Sequence, residues 1–269
     1  MIRLEPGTLW RDAVAASVRA ASRGKLAPLT SESHVVEDGG IAFSVRLLTG
    51  HEHKPRGASR ANPFLPYDPE HFVADISESH VCLLNKFNVL DHHLLLVTRA
   101  FEPQESLLTV ADFEALAVCL AEFDAFAFYN AGAVAGASQP HKHLQLVPTP
   151  LGPGPDRTPM EHVVASAVRG RAPVPFTNAV AKLDSGGGDA LDAAYRNLRR
   201  ALALTEPAQP YNLLVTRTWM MLVPRARAEC QGIPVNALGF AGALVARTPE
   251  QLAMLRERGP LAVLRAAAS

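Results

Sequence analysis

Apolar positions in this chain recur in short dense runs broken by turn-forming residues, the spacing of strands more than of long helices. The runs IAFSVRLL (41–48), HFVADI (71–76), HVCLLNKF (80–87) and HHLLLVTR (92–99) predict strands in the first half. FAFYN (126–130) and the polar–apolar alternation of HKHLQLV (141–147) predict two more. VPFTNAVAKLD (174–184), YNLLVTR (211–217) and WMMLVPR (219–225) continue the pattern. Helical spacing is confined to a few places. Residues 8–23 read as a helix with Thr8 as N-cap and Leu9, Trp10, Val14, Val18 and Ala21 along one side. A capping box of Thr109 and Asp112 opens a second helix to about Glu122, carrying Phe113, Leu116, Ala117 and Leu120. Leu191, Tyr195, Leu198 and Leu202 mark a third, and Thr248 as N-cap with Pro249 in first position begins a last one. The segment 51–69 is a proline-broken loop, of a length that tends to serve function in a compact domain. Strands joined by short meander connections, with few helices, predict an α+β fold on an antiparallel sheet. Residues 1–269 read as a single domain: an N-terminal part (1–183) with the histidine strand, a glycine-rich link (184–189) and a C-terminal part (190–269) that completes the fold.

Composition narrows the function classes. With 48% apolar residues in 269, the chain can bury a substantial core. Lys and Arg number 26 and so do Asp and Glu, so no bulk field draws the protein to nucleic acid or a membrane surface. An anionic ligand must be met by locally placed cations. Cys82, Cys119 and Cys230 form no C-x-x-C pair and fit a reduced, cytoplasmic protein. Charged residues interrupt the first 25 positions too often for a signal-peptide core. No later run approaches the roughly 18 apolar residues of a spanning helix, so no targeting segment is expected.

The candidate chemistry sits in GASQPHKHLQLVP (136–148). On a strand, His141, His143 and Gln145 share one face while Lys142, Leu144 and Leu146 take the other. Neutral imidazole is a nucleophile at physiological pH, and a hydrogen bond to one ring nitrogen decides which nitrogen presents its lone pair. Phosphorus suits such a nucleophile, because the resulting phosphoramidate is labile enough to pass on to a second acceptor. The preceding small residues let backbone N–H groups approach phosphoryl oxygens closely. Gln145 can hold such an oxygen but cannot act as acid or base at neutral pH. Two plainer readings stand beside this one: half of a metal site, or two buried histidines satisfied by backbone groups.

The stretch FYNAGAVAGASQPHKHLQLVP is similar to the signature of the diadenosine tetraphosphate phosphorylases, or ATP adenylyltransferases, in the transferase branch of the histidine-triad superfamily. LLNKFNVLDHHLLLVTRAFEPQ and YNLLVTRTWMMLVPR with GIPVNALGFAGALV extend the resemblance over about three-quarters of the chain. It implies a histidine-triad-like, galactose-1-phosphate-uridylyltransferase-like antiparallel sheet with flanking helices. It also implies that His143 takes the adenylyl group and expels ATP, that phosphate then releases ADP, that Gln145 contacts the phosphate, and that His141 orients. By the same resemblance Asn130 and the loop Gly136, Ala137, Ser138 and Gln139 hold the α-phosphate and ribose. Lys54, Asn85 and Lys86 hold the polyphosphate, and Asn236 contributes a nucleotide contact. Ala137 stands where members often have a serine, and Pro140 where they often have an acidic residue. No tightly bound cofactor is implied, and Mg²⁺ is expected to accompany the nucleotide. The implied partners are diadenosine tetraphosphate, ATP, ADP and phosphate. The oligomeric state is left open, a monomer being the simplest expectation.

Rival functions remain at this point. A dinucleotide hydrolase is opposed by Gln145 in the third triad position. A hexose-1-phosphate uridylyltransferase shares H-x-H-x-Q, but no C-x-x-C pair supplies its usual metal ligands. A nucleotide-binding sensor would use most of the same residues without turnover.

Overall fold

The computed structural model describes residues 1–50, 62–184, 186–205 and 209–268. Its elements are α1 (Leu9–Ser22), β1 (Ser31–Asp38), β2 (Ile41–Leu48), β3 (Phe72–Asp75), β4 (His80–Leu84), β5 (Leu94–Thr98), α2 (Val110–Glu122), β6 (Ala125–Asn130), β7 (His143–Pro148) and α3 (Glu161–Val168). They continue with β8 (Ala179–Lys182), α4 (Gly188–Ala201), β9 (Tyr211–Val215), β10 (Trp219–Pro224), β11 (Glu229–Cys230), β12 (Ile233–Pro234), α5 (Ala237–Phe240), β13 (Ala243–Ala246), α6 (Pro249–Arg258) and α7 (Pro260–Ala267). The α+β expectation holds. Eight strands form one sheet in the order β3-β4-β5-β7-β6-β9-β10-β8, every neighbouring pair antiparallel. Strands from both sides of the 184–189 segment interleave in it, β9 and β10 lying between β6 and β8. A smaller sheet sets β13 parallel to β2 beside the antiparallel β1–β2 pair.

Both faces of the large sheet are covered, which is why its strands read as unbroken apolar runs. One face packs Leu94, Leu96, Leu144, Leu146, Leu213 and Leu222 against α1, α2 and α4. The other packs Phe126, Phe128, Val147, Leu214, Met221 and Val223 against the small sheet and the C-terminal helices. Leu213 and Leu214 therefore go to opposite cores, as the alternation of a strand requires. Tyr129, Tyr195 and Tyr211 keep their rings in the helix-side core, where the Tyr195 and Tyr211 hydroxyls satisfy each other at 2.6 Å.

Three local expectations need correction. The buried side of α1 is Leu9, Ala13, Ala16 and Ala20, while Val18 is 65% exposed. Small alanines let the helix lie close, so size and not hydrophobicity chose the face. Thr8 holds the N-cap position, but its hydroxyl donates to Glu5 O at 2.8 Å. Glu122, at the end of α2, instead accepts from Gly7 N and Leu9 N at 2.9 and 3.1 Å. The link 184–189 is also shorter than expected, because α4 begins at Gly188. A Cβ at Gly188 would lie 2.5 Å from Glu114 N, so this glycine lets α4 cross α2. The capping box of Thr109 with Asp112 and the Thr248 cap are as expected. Strands β1 and β13 and helices α3, α5 and α7 lacked a pattern strong enough to predict them.

Candidate active site

The site opens where two strands of the large sheet part. β6 and β7 pair from Ala125–Pro148 to Phe128–Gln145, and there the ladder stops. The side chain of Gln104, fully buried, takes its place. Gln104 Oε1 accepts from His143 N at 2.9 Å, and Nε2 donates to Asn130 O at 2.9 Å and to His143 O at 3.3 Å. An amide carries a donor and an acceptor, so one side chain satisfies both strands while holding them apart. β7 accordingly begins at His143, not at 141 as the alternation predicts, and His141 keeps only an isolated bridge to Pro103.

Backbone carbonyls then fix both imidazoles. His143 Nδ1 lies 2.8 Å from His141 O. A carbonyl only accepts, so Nδ1 carries the proton and the lone pair of the neutral ring is on Nε2. His141 Nε2 sits 2.8 and 3.1 Å from the carbonyls of Thr98 and Ala100 and must donate, leaving Nδ1 to accept from Asn62 Nδ2 at 2.9 Å. Burial lowers the pKa of His141 against the pull of those two carbonyls and of Glu102. His141 thus stays neutral and shapes the turn whose carbonyl orients His143. Phe64 lies against both rings, 5.6 and 5.4 Å between centroids.

Gln145 is oriented by His93, which directly precedes β5. His93 Nε2 donates to Gln145 Oε1 at 2.9 Å, and Asn85 Nδ2 lies 3.4 Å from His93 Nδ1 as its donor. With its oxygen engaged by His93, Gln145 has its amide nitrogen as the remaining donor. The plain reading of H-x-H as buried, satisfied histidines describes His141 fully.

Behind β7, on the helix side, the charges are paired. Lys142 Nζ is 2.5 Å from Glu102 Oε2 and 3.3 Å from Asp112 Oδ2, and Asp112 Oδ1 is 2.9 Å from His80 Nε2. Burial pushes the Asp112 carboxyl up, but the bonds to His80, Lys142 and Thr109 together hold its pKa below the usual carboxylate range.

In front of β7 lies a cavity of about 1130 Å³. His143, Gln145, Asn85, Lys86, Asn130, Gly136, Ala137, Ser138, Gln139 and Asn236 all line it, which brings together every expected site residue but two. His141 stands behind the wall, and Lys54 lies outside the described residues. Gly136 has φ +95°, and a Cβ there would fall 2.8 Å from Asn236 Cβ, so only glycine lets the loop meet the segment before α5 so closely. Asn130 Oδ1 accepts from Asn212 Nδ2 at 2.7 Å and Ala237 N at 3.0 Å. It is therefore a structural tie between β6, β9 and α5 as much as a wall residue. Arg46 on β2 and Arg247 after β13 add cations to the wall beside Lys86. Neither arginine carried a sequence signal, because the small sheet brings them in from remote positions. Among the described residues no group of three or more His, Cys, Asp or Glu side chains is placed to hold a metal ion.

Comparison with known proteins agrees with this geometry. Residues 1–166 match the family model of the Ap4A phosphorylase N-terminal domain, and residues 172–269 that of the ATP adenylyltransferase C-terminal domain. Diadenosine 5',5'''-P1,P4-tetraphosphate phosphorylase 2 of Saccharomyces cerevisiae is 29% identical over 261 residues, 81% of this chain and 78% of that protein. Protein APA1 of the same yeast is 27% identical over 227 residues, covering 72% and 69%. The crystal structure of yeast Ap4A phosphorylase Apa2 in complex with AMP superposes with a TM-score of 0.82 at 27% identity, over 99% of this chain and 98% of that one. Its complex with Ap4A gives 0.82 at 26% identity, over 100% and 98%. This chain belongs to the family of Ap4A phosphorylases and ATP adenylyltransferases.

Proposed function

We propose that the protein catalyses the reversible phosphorolysis of diadenosine tetraphosphate to ADP and ATP through a covalent His143–AMP intermediate. The observation that carries this reading is the 2.8 Å bond from His143 Nδ1 to His141 O in the wall of the large cavity. Nε2 attacks the α-phosphorus, a P–N bond forms, and the P–O bond to the departing ATP breaks. The carbonyl at Nδ1 cannot take a proton, so the adduct stays an imidazolium and remains a good leaving group. Inorganic phosphate attacks the same phosphorus, releases ADP and returns neutral His143. Gln145, its oxygen held by His93, offers an amide N–H to a phosphoryl oxygen as charge builds there.

Asn130 and the loop 136–139 hold the α-phosphate and ribose, and Lys86, Asn85 and Lys54 the polyphosphate, with Arg46 and Arg247 added from this structure. Mg²⁺ arrives with the nucleotide and offsets phosphate charge, so excess chelator lowers the rate. We read the protein as one domain acting as a monomer in the cytoplasm. Cys82, its thiol pushed up to about 12 by burial, and Cys119 fit that reduced setting. Among the described residues no helix is long and apolar enough to cross a membrane.

The test is product analysis with and without phosphate. ADP and ATP, formed only with phosphate, are expected. AMP without phosphate makes the protein a hydrolase, and no products make it a sensor. His143→Ala lowers turnover by roughly 10⁶-fold, the scale of losing a nucleophile, with nucleotide affinity retained.

A further inference from the structure

One buried cation is not used by the reading above. Arg225, at the end of β10, is 4% exposed. Its hydrogen bonds all run to neutral acceptors: Nη1 to Asn212 Oδ1 at 2.5 Å and Ala135 O at 3.1 Å, Nη2 to Arg227 O at 2.5 Å, and Nε to Ala267 O at 3.1 Å. The Phe240 ring centroid lies 5.3 Å from its Cζ. No carboxylate pairs with it among the described residues. Burial brings its pKa down to about 10, which leaves it charged at neutral pH.

Lys142 shows what the fold does with a buried cation whose role is internal: it supplies two carboxylates. Among the described residues Arg225 receives only dipoles, which orient a guanidinium but leave its net charge in place. An unpaired buried charge is costly, and a fold retains one where something else neutralises it. The location says what that is. Ala135 precedes Gly136 and Ala137 on the cavity wall, and Asn212 bonds Asn130, another wall residue. The charge therefore sits one layer behind the proposed phosphate loop.

We propose that Arg225 is the fixed counter-charge of the bound nucleotide's phosphates: a positioning residue that holds the loop 132–137 in shape and attracts anionic ligand through it without contact. The inference rests on the placement of phosphate at that loop. At an effective dielectric near 20, such an attraction is worth on the order of tenfold in affinity per unit of ligand charge.

The experiment is a binding series by titration calorimetry on the full chain, with adenosine, AMP, ADP and ATP in the absence of divalent cations, for the unsubstituted protein, Arg225→Met and Arg225→Lys. The unsubstituted protein binds more tightly as ligand charge rises. Arg225→Met weakens adenosine least, through the loop alone, and loses on the order of tenfold more for AMP and further for ADP and ATP. Arg225→Lys, which keeps the charge and loses the fork, retains the slope of affinity against charge. Equal weakening of all four ligands by Arg225→Met, or an unchanged slope, overturns the proposal. If Arg225→Met does not fold, Arg225→Lys decides alone, since a flattened slope there assigns the effect to hydrogen-bond geometry. An unsubstituted protein that binds adenosine and ATP equally removes phosphate from the loop, and that result refutes the underlying site reading before any variant is made.

Discussion

Two polar systems flank the chain where it enters β7, and they are built on opposite principles. On the helix side, Lys142 meets the carboxylates of Asp112 and Glu102, and Asp112 also accepts from His80. On the cavity side, His143, His141, Gln145 and His93 are tied by neutral hydrogen bonds to carbonyls and amides. The first arrangement holds the strand in place. The second fixes the tautomers of neutral rings and the orientation of an amide. Burial alone does not separate a structural cluster from a functional one, since both are buried. What separates them is that one is built of paired charges and the other of neutral rings and amides beside a cavity.

The largest expected effect breaks the helix-side system. Asp112→Ala leaves Lys142 and His80 short of a partner and costs about 3–5 kcal/mol in chemical denaturation. kcat per folded molecule should change little. A variant that keeps its stability but loses kcat would move this network into the catalytic machinery. On the cavity side the split reverses. Gln145→Ala lowers kcat by roughly 10²–10³, as the loss of one donor to a developing oxyanion does. Stability and nucleotide affinity should stay near those of the unsubstituted protein. Gln145→His is a finer probe: it raises AMP release relative to ADP formation, and an unchanged ratio would show that this position does not select the acceptor.

The smallest effect is in pH, and it sharpens the contrast. His141 has a folded pKa below its unfolded value, so its stabilisation is full above about pH 6.5 and is lost as pH falls toward the depressed folded value. Asp112, a carboxylate also held low, contributes fully above about pH 4 and loses its contribution only as pH falls through the lower folded value. Acid titration of unfolding should therefore show two stages, with Asp112→Asn removing the lower one alone. A single stage that Asp112→Asn shifts as a whole would mean that the two systems are one.

Much of the site was legible in the sequence because β7 and the small-residue loop are local. Strand alternation placed Gln145 beside His143, and the small side chains of 136–138 marked the close approach that Gly136 makes to Asn236. What the sequence did not show is long-range. Gln104 reads as a loop residue, yet it replaces the ladder between β6 and β7. His93 begins an apolar strand, and its tie to Gln145 exists only because β5 pairs with β7. Arg46, Arg225 and Arg247 reach the site through β2, β10 and the chain after β13, and no local pattern links them. In the fold, periodicity found the central strands and the longer helices, whereas β1, eight residues but largely exposed or half-buried, and β13, only four residues, gave no period to read.

The central claim is that one imidazole, with its proton held on Nδ1, receives the adenylyl group. The direct measurement is to mix the protein with diadenosine tetraphosphate without phosphate, quench under basic conditions and map the adduct by mass spectrometry. An AMP mass on the peptide carrying His143, lost on mild acid treatment and absent from His143→Ala, is the expected result. Phosphate-dependent turnover with no adduct on that peptide, or with the adduct on another residue, would contradict it.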